Sequence, residues 1–247
     1  GVRQSGEPDP RYTRMTPVVE ARGLRKVYVL GETQVVALDA VDLTLDPGDF
    51  VAVMGPSGSG TSTFMQIVGL LDTPTAGTYR FEGGDVAHLS GDDRAGLRSR
   101  RLGFIFQAYN LLPRTSALEN VELPMVYAGV AEPRRRATAL EKMELVGVAH
   151  LRDHNPNQMS GGQQQRVAIA RSLVNDPGLL LADEPTGALD TKSSADVMRL
   201  LKRLNDERGI TIMLVTHEPE IAAYARRIVT FRDGRIVADA SNAQRAA

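Results

Sequence analysis

Residues 50–63 read FVAVMGPSGSGTST, and the segment continues as FMQIVGLL. The opening FVAVMG is a short continuous apolar run, the pattern of a buried strand, whereas STFMQIVGLL has helical spacing. A strand, a glycine-rich loop and then a helix is the context in which a G-x-x-x-x-G-K-[ST] spacing acquires chemical meaning. Gly55, Gly58 and Gly60 permit unusual backbone angles and close approach of an anion, with Ser57 and Ser59 between them. The N–H groups of such a loop converge at the positive end of the following helix, a ready cradle for phosphate oxygens. Ser62, followed by Thr63, stands where a hydroxyl would hold Mg²⁺. One slot departs from the pattern: Thr61 occupies the place of the lysine. A bare glycine turn with no ligand is the competing reading of this stretch taken alone.

The cost of that threonine has a definable size. Thr61 keeps its backbone N–H, so much of the cradle survives, but the point charge that reaches the outer phosphates is gone. A hydrogen bond to a charged group contributes about 1.5–3 kcal/mol, or roughly one to two decades of affinity. Turnover suffers more, because removing one preorganised donor elsewhere costs roughly 10²–10³. The lysines of the chain are Lys26, Lys142, Lys192 and Lys202, none of them in a motif.

The rest of the composition narrows the chemistry. A chain of 247 residues can bury a large core, and 42% hydrophobic with 24% charged residues is ordinary for a globular protein. A net charge of −1 gives no global basic field for nucleic acid. The absence of cysteine excludes disulfides, thiolate metal sites and cysteine nucleophiles. No apolar run approaches the roughly 18–20 residues of a membrane span, and no secretory signal pattern is visible. Residues 1–16 lack periodicity and are rich in Gly, Pro and charge, and are expected to form a disordered tail.

Beyond that tail, VVEARGLRKVYV and VVALDAVDLTLDPGD alternate as antiparallel strands, with the Asp46-Pro47-Gly48-Asp49 turn expected to close them. GTYRFEGGDV is hairpin-like. From about residue 92 to 175 the character is helical, interrupted by the short strand FIFQ. GLLLADEP and ITIMLVTH read as buried parallel strands, and ADVMRLLKRLNDERG as an amphipathic helix capped by Gly209. RIVTFRDGRIVAD resembles a closing hairpin turning at Asp233-Gly234. Strands alternating with helices predict an α/β fold. Its parts are a parallel-sheet core, an antiparallel β subdomain and a helical insertion at 92–175, within a single domain over 17–247.

Two further stretches carry chemistry. The apolar run 179–182 ends in Asp183-Glu184, which places one carboxylate to hold Mg²⁺ and the next to polarise a water. An ordinary acidic strand-to-loop boundary is the alternative. In MSGGQQQRVAIAR, Ser160, Gly161 and Gly162 open a long helix, a second anion site at a helix start. Paired glycines are poor helix-starting chemistry unless the backbone must approach something closely.

Taken together, the motifs resemble those of the nucleotide-binding subunit of an ABC (ATP-binding cassette) transporter, a P-loop NTPase family. GPSGSGTST is similar to the Walker A loop, LLLADEP to the Walker B strand and MSGGQ to the family signature. GFIFQ resembles the Q-loop, GALD the D-loop and LVTHE the strand bearing the switch histidine. The resemblance covers residues 18–238. It implies binding of ATP and Mg²⁺, with Asp183 on the metal, Glu184 as general base, His217 on the γ-phosphate, and Gln107 on Mg²⁺ and water. It places Tyr28 where an aromatic ring stacks on adenine. It also implies a head-to-tail homodimer in which Ser160, Gly161, Gly162 and Gln163 of one chain close the site of the other, with Asp190 organising the interface. No nucleic acid is implied.

GFIFQAYNLLPRTSALENVELPMVY and DEPTGALD resemble, within that family, the lipoprotein-release, macrolide-efflux and cell-division group. This implies a membrane permease as partner, docked at AYNLLPRTSALENV, and peripheral attachment to the cytoplasmic face of a bacterial inner membrane. With Thr61 in place, hydrolysis is expected to be weak or absent. A dimerising regulatory module without turnover, or a soluble ABC protein, are the alternatives.

Overall fold

The structure, a computed structural model, describes residues 16–242. The stretch expected to form a tail lies, but for Thr16, outside them. The fold is α/β, with two sheets and one helix held between them.

Strands β1 (Val19–Leu30) and β2 (Thr33–Leu45) pair antiparallel, with Val19 opposite Leu45 and Tyr28 opposite Val35. They are joined at Gly31-Glu32, where Gly31 has φ +63°. The Asp46–Asp49 turn does not close this hairpin. Asp46 O accepts from Asp49 N (3.1 Å), and that turn carries the chain from β2 into β3 (Phe50–Met54) of the second sheet. After the glycine loop, α1 spans Thr61–Val68. Strands β4 (Ala76–Phe81) and β5 (Gly84–Asp85) then complete a four-stranded antiparallel sheet in the order β2-β1-β4-β5.

The helical stretch follows as α2 (Gly91–Arg101), β6 (Leu102–Phe106), α3 (Ala117–Tyr127), α4 (Glu132–Leu145) and α5 (Gly161–Leu173). Three of its helices, α2, α3 and α5, begin where a serine side chain caps them. Ser90 accepts from Asp93 N, and Ser116 and Ser160 form capping boxes with Glu119 and Gln163. The chain then runs through β7 (Leu179–Asp183), α6 (Thr191–Arg208), β8 (Ile212–Val215), α7 (Pro219–Ala222), β9 (Arg227–Arg232) and β10 (Arg235–Ser241). Gly209 ends α6 at φ +65°, and Asp233-Gly234 turns the last hairpin.

The six-stranded sheet has the order β10-β9-β3-β8-β7-β6, parallel throughout except for β10. Its central strands are apolar on both faces because both faces are covered. Phe50, Ala52, Leu180, Ala182, Ile212 and Leu214 pack on one side against α3, α4, α5 and α6. Val51, Val53, Leu179, Leu181, Met213 and Val215 pack on the other against α1 and the antiparallel sheet. Helix α1 is thus buried through Phe64, Met65, Ile67 and Val68, and the Phe64 ring lies 5.2 Å from that of Phe231.

One buried amide shapes the loop between β6 and α3. Asn120 is fully buried, accepts from Leu112 N (2.7 Å), and donates to Thr115 Oγ1 (2.8 Å) and Ser116 O (2.9 Å). Asn120→Ala leaves these groups without partners and is expected to lower unfolding free energy by about 2–4 kcal/mol in urea titration. An unchanged midpoint contradicts that role.

Candidate functional site

Register decides what meets at one edge of the parallel sheet. Val53 pairs with Val215, Asp183 with Val215, and Phe106 with Asp183. The loops that follow β3, β8, β7 and β6 therefore leave the sheet side by side, at the carboxyl ends where α/β folds place ligands. Those after β3, β7 and β8 enclose a cleft of about 490 Å³ lined by Gly55–Gly58, Thr61, Ser62, Asp183, Glu184, Val215, Thr216 and His217.

The floor of the cleft is backbone. Ser59 N donates to Pro56 O (3.0 Å), which folds the loop into a tight arc. Gly60 is the N-cap of α1 at φ +100° and supplies no side-chain cap, so the first-turn amides of Thr61, Ser62 and Thr63 are left for an anion. A Cβ on Gly60 would lie 2.6 Å from Ala37 O, so glycine is required there twice over. Gly58, at φ +80°, has open space on its Cβ side. Ser59 itself is buried beneath the loop and does not line the cleft.

The walls are acidic. Asp183 ends β7 with its carboxyl pushed up from the ordinary range, by burial first and then by the charge of Glu184. Glu184 sits at φ +45°, an uncommon angle for a non-glycine residue. Its Oε1 accepts from His217 N (3.0 Å) and lies 2.6 Å from His217 Nδ1, and Thr216 Oγ1 donates to Oε2 (3.2 Å). The hydrogen bond to Glu184, reinforced by its charge, raises the His217 pKa. No lysine or arginine among the described residues lines the cleft, so protonated His217 is the one side-chain cation among its described lining residues.

The remaining expected site residues lie elsewhere. Tyr28 is half-buried on β1, and its hydroxyl donates to Asp72 Oδ2 (2.9 Å). Gln107 follows β6 but packs over Gly187, where a Cβ would lie 2.6 Å from its Nε2, and it does not line the cleft. Ser160 and Gln163 are engaged with each other, Gln163 Oε1 accepting from Ser160 N (2.8 Å), at the start of α5 with Gly161 and Gly162. Asp190 caps α6 by accepting from Ser193 N (2.9 Å). Neither this helix start nor Asp190 touches the phosphate-loop cleft of the same chain.

The sequence pattern of the ABC transporter family matches residues 38–187. The chain is 50% identical over 228 residues to YknY of Bacillus subtilis, an uncharacterized ABC transporter ATP-binding protein, covering 92% of this chain and 98% of that one. The chain belongs to the ABC transporter family. It is also 54% identical over 221 residues to the macrolide export ATP-binding/permease protein MacB of Syntrophobacter fumaroxidans, covering 89% of this chain. It spans about a third of the length of such MacB relatives. Among solved structures it resembles the ATP-binding cassette MJ0796, seen as a dimer bound to ADP and Pi, with 42% identity and a TM-score of 0.82. That match covers 91% of this chain and 98% of the other.

For an ABC cassette, several structurally important residues escaped sequence reasoning. Lys26 is buried against Tyr28, its Nζ 4.9 Å from the ring centroid, 2.6 Å from Asp72 Oδ1 and 2.7 Å from Thr73 O. Spacing at i and i+2 on one strand face was the available signal. This engagement also removes Lys26 as a stand-in for the missing loop lysine. Thr216 lies inside LVTHE, where the adjacent histidine was singled out instead. A second cleft, of about 560 Å³, is mostly apolar and is lined by Leu71, Phe104, Leu123, Tyr127 and Arg171 among others. Of the stretch AYNLLPRTSALENV, expected to shape a docking groove, Asn110 alone lines it. Leu71 and Tyr127 are 50% and 78% exposed there.

A raised folded-state pKa means that the His217–Glu184 contact contributes fully below the unfolded histidine value of about 6.5 and is lost as pH rises through the folded value. In an NMR titration the His217 midpoint is expected above that of free histidine, and Glu184→Gln to bring it back down. Equal midpoints in the two proteins contradict the contact.

Proposed function

We propose that this cassette is the ATP-binding subunit of a membrane transporter, and that Thr61 weakens nucleotide binding and slows hydrolysis. The single observation that carries the reading is the cleft itself, with an amide-lined floor, two carboxylates and no lysine or arginine among the described residues that line it. In this reading the amides of Gly58 to Ser62 take the phosphates, and the Tyr28 ring carries the adenine. The donor set fits Mg²⁺, which favours hard oxygen ligands and is commonly held by one or two carboxylates plus substrate phosphates. Asp183 and the Ser62 hydroxyl supply such oxygens, and the described residues contain no cage of three or more acidic or histidine ligands. When bound, Mg²⁺ would offset phosphate charge; Asp183, disfavoured as an anion by burial, would regain its charged form beside it.

Glu184 is the base for the attacking water. In the free cassette its Oε1 is occupied by His217, so base action requires that the imidazole turn away. A γ-phosphate draws protonated His217 toward itself and thereby frees the carboxylate. Gln107 reaches the metal and water only if the loop after β6 moves, because it now covers Gly187. The site is completed by Ser160, Gly161, Gly162 and Gln163 of a second copy, with Asp190 at the interface. MJ0796, a dimeric cassette, supports this arrangement.

The partner is a permease, whose cytoplasmic helix would lie in the apolar cleft between Leu71 and Tyr127 and hold the cassette at the inner face of a bacterial membrane. No helix among the described residues is long and apolar enough to cross a membrane. The missing cation also favours a second reading, a module that dimerises on nucleotide without turnover.

Thr61→Lys separates the two. Restoring the charge is expected to tighten MgATP binding by about one to two decades and to raise phosphate release by roughly 10²–10³. Tighter binding with no gain in phosphate release supports the non-hydrolysing module, and no change in either overturns the assignment of Thr61 to the phosphate cradle.

A further inference from the structure

Two residues past Gln107, Tyr109 and Asn110 both occupy the left-handed region, at φ +59° and +51°. Asparagine visits it readily, but a bulky tyrosine does so only where surrounding structure enforces it. The enforcement comes from α5. Arg171 Nη2 donates to Tyr109 O (2.8 Å) and Nη1 to Asn110 O (2.5 Å). Arg171 has no carboxylate partner among the described residues, so its hydrogen-bonding capacity is directed at this backbone.

Held in this way, Tyr109 reaches across to two other motifs. A Cβ on Gly161 would lie 2.7 Å from the Tyr109 hydroxyl and 3.1 Å from Leu189 Cδ2. Gly161 is therefore glycine because a tyrosine already fills its side-chain space. The same hydroxyl donates to Ala188 O (3.3 Å), two residues before Asp190. One side chain thus touches the loop after β6, the start of α5 and the segment leading to α6. Arg171 and Asn110 in turn line the apolar cleft.

We propose that Tyr109 is a positioning residue that fixes the face one cassette presents to the nucleotide of its partner, and that Arg171 links this face to the apolar cleft. The proposal rests on the two-chain site described above. Helix α5 offers Ser160-Gly161-Gly162 outward, and the Tyr109 ring sets where that turn lies relative to Ala188 and Asp190. Loss of the hydroxyl loosens the 187–190 segment, and loss of the ring lets the α5 start shift as well. The phosphate loop is untouched by either change, because Tyr109 does not line its cleft.

The test is sedimentation of the full chain in millimolar MgATP, with Tyr109→Phe and Tyr109→Leu beside the parent. Tyr109→Phe is expected to weaken dimerisation about three- to tenfold, the range of one neutral hydrogen bond. Tyr109→Leu is expected to weaken it further. Monomer affinity for MgATP and the thermal unfolding midpoint should stay as in the parent. Dimerisation as tight as the parent's in both variants overturns the proposal. So does a loss matched by an equal fall in monomer affinity and unfolding midpoint, which marks ordinary packing. If the parent itself does not dimerise, the two-chain reading fails separately. Amide exchange at Gly187–Asp190 in the nucleotide-free chain then decides: faster exchange in Tyr109→Phe supports the tether to Ala188, and identical exchange overturns it.

Discussion

In-register parallel pairing of β3, β8 and β7 is the constraint on which the site depends. Because Val53, Val215 and Asp183 are neighbours in this ladder, three loops that follow positions as far apart as 54 and 215 leave one sheet edge together. A shift of one residue along β7 would turn Asp183 to the opposite face and send Leu181 out of its cluster. The apolar residues on both faces, buried between α1 and the antiparallel sheet on one side and the helical layer on the other, fix that register. The chemistry at the edge inherits its precision from packing several residues away.

At that edge, charge is distributed in an uneven way. Amides at the start of α1 supply the positive potential that a lysine would otherwise strengthen, while Asp183 and Glu184 oppose an anion from across the cleft. His217 is balanced between the two, bound to Glu184 and, when protonated, the one cationic side chain among the described residues that line the cleft. The same contact that raises its pKa also occupies the carboxylate that would serve as base. In the proposed reading, Thr61 leaves a site in which binding relies on backbone dipoles and a divalent cation.

Much of this was legible in the sequence, and the residues show why. FVAVM, GLLLAD and ITIMLV read as buried parallel strands because both of their faces are covered, which erases the alternation an exposed strand would show. The loops after them carried their own glycine and carboxylate markers. The β1–β2 connection was misread because Asp-Pro-Gly-Asp is a stronger turn signal than Gly31-Glu32, although it lies after both strands. Tyr109, Arg171 and Lys26 were invisible for a different reason. Their partners, Ala188, Asn110 and Asp72, lie 79, 61 and 46 positions away, and no local period encodes such contacts. The glycine of the α5 start was read as room for an anion, whereas a neighbouring tyrosine already claims part of that space.

The central claim, that a triphosphate here is held by amides and a divalent cation without a lysine, is tested most directly by calorimetric titration of ATP with Mg²⁺ and then with a chelator. The account predicts that chelation weakens binding by about tenfold or more, since only the metal can shield the phosphates from Asp183 and Glu184. Equal affinity in the two titrations would contradict it.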